Sequence, residues 1–153
     1  SYPHIEQIGK TYKMWYGSTL SWTSENGEMI HVIKQATSTD CANWNLQGLA
    51  VPYEIGKAQA FSKPSVYKDK EGYHMWFSYR SGDGTPYRIG YAHSIDSSQW
   101  QMKQSNLSVS ETGWDDEMVC YPNVFKHKNN LYMLYNGNNY GLTGFGIAKS
   151  ENL

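Results

Sequence analysis

The residues best equipped for chemistry are the acids of Trp114-Asp115-Asp116-Glu117. Cleavage of a glycosidic bond needs one carboxylic acid that keeps its proton and one carboxylate that is ionised, and crowding of like charges pushes two such pKa values apart. In that scheme Glu117 is the candidate general acid and Asp116 its ionised partner; a solvated acidic turn is the competing reading of the same residues. Asn136-Gly137-Asn138-Asn139-Tyr140-Gly141 sets three amides, of which Asn136 and Asn138 are the candidates, beside an aromatic ring, a set suited to sugar hydroxyls and also to ordinary turns. Trp22, between Ser21 and Thr23-Ser24, has a ring face for a pyranose or for capping its own loop. Arg80 can hold a carboxylate or hydroxyl, or pair with Asp83 three residues on. His4, Lys63 and Tyr121 complete the candidate binding residues.

Other chemistries find little support. Lys+Arg 13 against Asp+Glu 14 leaves no field to attract nucleic acid or an anionic membrane, so neither is an expected partner. No apolar run reaches the length of a membrane-spanning helix, and the expectation is a soluble chain whose compartment stays open. Cys41 and Cys120 are expected to be free thiols, and neither they nor His31, His93 and His127 show metal-ligand spacing. Gly144-Phe145-Gly146 precedes a strand and lacks the helix a phosphate loop needs. The expectation is no metal and no cofactor.

Strands must position these groups. The sequence holds 6 Trp, 13 Tyr and 4 Phe, a richness that suits strands and also ring stacking on sugars. An internal repeat sets the architecture. Pro3, Pro64 and Pro122 are each followed two residues later by Ile5, Val66 or Val124, and eleven residues later by Met14, Met75 or Met133. After the methionines come Trp15-Tyr16, Trp76-Phe77 and Leu134-Tyr135. Ala36-x-Ser38, Ala92-x-Ser94 and Ala148-x-Ser150 align further on, with Trp44 and Trp100 six residues past the serine in the first two copies. The repeats span about 1–50, 51–106 and 107–153 of a single domain.

In the middle copy the predicted strands are Pro64–Lys68, Tyr73–Arg80, Tyr87–Ser94 and Trp100–Lys103, divided by turn-forming segments such as Asp69-Lys70-Glu71-Gly72 and Ser81-Gly82-Asp83-Gly84. Met75 and Phe77 face one side of the second strand while His74 and Trp76 face the other. Both faces are bulky, so the sheet needs cover on both sides, as in stacked blades. The repeat therefore predicts an all-β propeller of four-stranded antiparallel blades, three in number, with Trp15, Trp44, Trp76 and Trp100 as packing residues. Four loop segments should gather at one end: 17–29, 80–86, 136–144 and 111–121.

The segments Lys63-Pro64-Ser65-Val66-Tyr67, Tyr73-His74-Met75-Trp76-Phe77-Ser78-Tyr79-Arg80 and Tyr87-Arg88-Ile89-Gly90-Tyr91-Ala92-His93-Ser94, followed by Trp100, resemble blades of the five-bladed propeller glycosidases, the superfamily of arabinanases, xylosidases, invertases and levansucrases. The resemblance implies a glycoside hydrolase-like protein that acts on or binds oligosaccharide at a central funnel. It also implies carboxylates near the proline that opens a blade. This chain instead has Tyr2, Lys63 and Tyr121 directly before those prolines, and reads Val119-Cys120-Tyr121-Pro122 where invertases carry a Glu-Cys-Pro order. A carbohydrate-binding propeller without catalysis and a protein-interaction scaffold are the alternatives. Three blades form only part of a five-bladed ring, which leaves further blades of a longer chain or a homo-oligomer to complete it.

Overall fold

β-Branched and aromatic residues at alternate positions make strands of the repeat segments, and the computed structural model, which describes residues 1–150, contains eleven of them. The first four are β1 (His4–Ile8), β2 (Thr11–Ser21), β3 (Ile30–Ser38) and β4 (Asn45–Leu49), each antiparallel to the next. A second antiparallel meander follows with β5 (Ala60–Asp69), β6 (Gly72–Arg80), β7 (Arg88–Ser94) and β8 (Gln101–Lys103). The third sheet has β9 (Cys120–His127), β10 (Asn130–Asn136) and β11 (Phe145–Lys149), with a single turn, α1 (Asn138–Gly141), between the last two. No strand follows β11 among the described residues. One parallel bridge, His31 to Ala60, ties the first two meanders at the loop end.

The sheets stack as the alternation predicts. Trp15 of β2 is fully buried and packs with Met75 and Phe77 of β6 in one core cluster, closed by an edge-on contact between Trp15 and Trp100 at 5.7 Å. Trp76, on the opposite face of β6, joins Ile89, Val119, Met133 and Tyr135 in a second cluster. The tryptophan face of one sheet thus meets the methionine face of the next, and the middle sheet is covered on both sides. Each such side chain contributes about 1.5–3 kcal/mol by leaving water. Trp44 departs from the packing expectation: it is only half-buried, at the open edge of the first meander.

The turns from third to fourth strand repeat in detail. Asp40 accepts hydrogen bonds from the N–H groups of Ala42 and Asn43, Asp96 from those of Ser98 and Gln99, and each receives a serine hydroxyl, Ser38 or Ser94. The indole N–H of Trp44 donates to the Cys41 carbonyl and that of Trp100 to the Ser97 carbonyl. These bonds hold both aspartates below the ordinary carboxylate range, Asp40 far below it.

Candidate functional site

The three repeat prolines sit in one irregularity. Ser62 pairs with Ser78 and Ser65 with Trp76, so Lys63 and Pro64 together oppose Phe77. Cys120 pairs with Asn136 and Asn123 with Leu134, so Tyr121 and Pro122 together oppose Tyr135. The first copy matches: Ser1 and Gly17 exchange both backbone hydrogen bonds, at 2.6 and 2.8 Å, while His4 pairs with Trp15. Each is a β-bulge with two residues against one, a device that re-aims a side chain. Proline tolerates the bulge because its missing N–H is not needed there, which lets β5 run from Ala60 instead of starting at Pro64.

The residues before the prolines have left-handed backbones, with φ of 47° at Tyr2, 49° at Lys63 and 56° at Tyr121. Such a bulge usually takes glycine, and a side chain held there costs of order 1–3 kcal/mol. The same strain is therefore kept three times. β1, β5 and β9 run side by side, so the three side chains meet. The Tyr2 and Tyr121 rings are 5.9 Å apart, and the Lys63 ammonium donates to the Pro122 carbonyl at 3.1 Å. All three line a concavity of about 330 Å³ with Asn123, Leu134, Tyr135, Asn136 and Phe145. No carboxylate is among the described lining residues. Burial pulls the Lys63 ammonium below its ordinary pKa and pushes the Tyr121 phenol up to about 12.

A second group adjoins Tyr121. Its ring is 6.1 Å from Tyr87 and 6.2 Å from Tyr140, the latter stacked. The Arg80 guanidinium lies 5.1 Å over the Tyr87 ring and forms an ion pair with Glu28 at 3.0 Å. Arg80 thus pairs with Glu28, from the preceding meander's loop, and not with Asp83, which is occupied by the Ser81 hydroxyl and the Thr85 N–H. The Arg80 Nε is buried without a hydrogen-bond partner. Asn136 donates to the Tyr140 carbonyl at 2.9 Å, which fastens Tyr140 beside the cavity.

The acidic segment is built around Asn138. Its Oδ1 accepts from the backbone N–H groups of Glu117 and Met118, each at 2.9 Å, and its Nδ2 donates to Asp116 at 2.7 Å. Asp116 also accepts from the Gly113 N–H, and these bonds hold its carboxyl below the usual range. Glu117 is exposed, and its backbone carbonyl accepts from Arg88 at 2.7 Å. Asp115 is buried and takes the Tyr135 hydroxyl at 3.0 Å.

Of the sequence candidates, Lys63, Tyr121 and Asn136 line the concavity, and Arg80 reaches it through Tyr87. Asn138, Asp116 and Glu117 form a neighbouring loop cluster outside that lining. His4 bonds Glu6 at 2.9 Å and packs near Trp15, and Trp22 stands 76% exposed at the tip of its loop. Tyr2, Glu28, Tyr87 and Tyr140 were not among the candidate residues, although Tyr2 shares the column of Lys63 and Tyr121 and Tyr140 adjoins the Asn136 and Asn138 amides. Gln59 escaped notice too: fully buried, its side chain ties the 17–29 loop, at Ser24 and Asn26, to the Gly56 N–H ahead of β5, and no repeat column marks it. Among the described residues no three His, Cys, Asp or Glu side chains are grouped as for a metal, and no helix is long and apolar enough to cross a membrane.

No family model matches the chain. Two uncharacterized proteins of Mycobacterium tuberculosis strains are each 41% identical over 155 residues, a span covering 99% of this chain and 51% of theirs. The chain therefore spans about half the length of the curated relatives it matches. Among solved structures, a family 117 glycoside hydrolase of the marine bacterium Zobellia galactanivorans matches with a TM-score of 0.81 and 17% identity, over 99% of this chain and 52% of that one. The sucrose-6-phosphate hydrolase of Lactobacillus gasseri matches with a TM-score of 0.72 and 14% identity, over 97% and 32%. A thermostable family-43 glycoside hydrolase matches with 0.66 and 16%, over 98% and 47%. The chain is thus similar in fold to these glycoside hydrolases, in line with the resemblance of its repeat motifs.

Proposed function

We propose that the chain binds oligosaccharide at the funnel of a glycoside hydrolase-like propeller, and that the wall it contributes recognises sugar without supplying the carboxylate pair. In this reading the three sheets are blades of the four-stranded antiparallel type, and a ring of the five-bladed kind is completed by further blades or by a second copy. One observation carries it: the three side chains before the blade-opening prolines, Tyr2, Lys63 and Tyr121, are held in strained backbone and converge on one concavity. Rings offer faces to the C–H side of a sugar, while the Lys63 ammonium, the phenols and the Asn136 amide offer hydrogen bonds worth roughly 1 kcal/mol each.

Hydrolysis by Glu117 and Asp116 is the second reading, favoured by the lowered pKa of Asp116, which suits an ionised carboxylate. A panel of intact oligosaccharides separates the two. Retention without cleavage, weakened at least tenfold by Tyr121→Ala, supports binding; unchanged retention in that variant refutes the cavity as the site. Cleavage abolished by Glu117→Gln, with folding intact, would move the function to the acidic loop.

A further inference from the structure

The charge at the three bulges is unbalanced, and the imbalance points to the kind of sugar. Among the described residues Lys63 is the one cation lining the concavity. Its ammonium makes a single hydrogen bond among the described residues, to the Pro122 carbonyl, and no ion pair. An ammonium has three protons to donate, so two remain for a ligand. Among the described residues no carboxylate pairs with Lys63, and burial lowers its pKa. Arg80, by contrast, is already neutralised by Glu28. A partly desolvated cation without a counter-ion is costly, and is kept most economically where a ligand brings the opposite charge. A neutral hydroxyl would be served as well by an amide or phenol, both of which already line the wall.

We infer that Lys63 recognises an anionic substituent of the bound sugar, a uronic carboxylate or an ester sulfate, so that the site selects acidic oligosaccharides over neutral ones. The inference rests on the carbohydrate-binding reading and names the substrate class for it. The competing role of Lys63 is a strut that ties β5 to β9 through the Pro122 carbonyl. A strut would be indifferent to ligand charge.

Calorimetric titration of the chain with three probes separates these possibilities: oligogalacturonate, a sulfated galactan oligosaccharide and a neutral galactan oligosaccharide of equal length. At least one acidic probe should bind about tenfold or more tightly than the neutral one, and added salt should erode the difference. Which acidic probe is preferred identifies carboxylate or sulfate as the partner. Lys63→Met and Lys63→Gln should bring the ratio to near one while the far-ultraviolet circular dichroism stays that of the parent, and Lys63→Arg should retain the preference. Equal binding of acidic and neutral probes, or a preference that survives Lys63→Met, overturns the inference and leaves sugar binding standing. Failure of all three probes to bind overturns both.

Discussion

Asn138 should anchor the acidic loop, and its removal has a calculable cost. The side chain is 6% exposed and makes three short hydrogen bonds, two from backbone N–H groups and one to Asp116. Asn138→Ala leaves the buried Met118 N–H without an acceptor, about 1–3 kcal/mol. Glu117 is exposed and the Asp116 carboxylate reaches solvent, so water replaces their lost bonds at little cost. The expected loss is about 1–3 kcal/mol, or roughly 2–12 °C in Tm for a chain of this size. Asn138→Asp keeps both backbone bonds but sets a second carboxylate against Asp116, so its deficit should shrink as acid protonates one of the pair. Urea denaturation at several pH values measures both effects. A midpoint for Asn138→Ala that translates to within about 0.5 kcal/mol of the parent would refute the reasoning.

Two further outcomes follow from burial. Cys120 is buried and its thiol is pushed up to about 11, whereas Cys41 is exposed, so the native chain should give one fast equivalent with a thiol reagent and a second only on unfolding; equal rates would contradict this. Tyr121 and Tyr135 have folded-state pKa values of about 12 against 10.0 when unfolded. The folded state therefore holds protons that the unfolded state has lost, and the stabilisation, complete below pH 10, disappears as pH rises toward 12. Phenolate absorbance should show late-titrating tyrosines, one fewer in Tyr135→Phe, and a single common titration near 10 would rule the shifts out.

The repeat was legible because packing wrote it: the prolines, methionines and paired aromatics recur where sheets must pair and stack, and Trp15, Met75 and Phe77 lie in the core those columns imply. The site was only partly legible. Its position followed from the proline column, but a residue before proline is ordinarily extended, so nothing in the sequence announced the left-handed turn that gathers Tyr2, Lys63 and Tyr121. The competing role for Arg80, a pair with Asp83, rested on nearness in sequence; Asp83 instead closes its own turn, and Glu28 arrives from another meander. Gln59, Tyr87 and Tyr140 owe their places to loops that no spacing constrains. Asn138 was identified for sugar contact, and its bonds to Glu117, Met118 and Asp116 became visible only with the loops folded against each other.

The bulges separate aim from identity. Where a residue points at positions 2, 63 and 121 is decided by the path of the main chain and the proline behind it, while what it carries is left to the side chain. The three positions are in effect a row of sockets that hold phenol or amine without rebuilding the sheets. A change of ligand preference, or the arrival of an acid where lysine now stands, requires a single substitution rather than a new architecture.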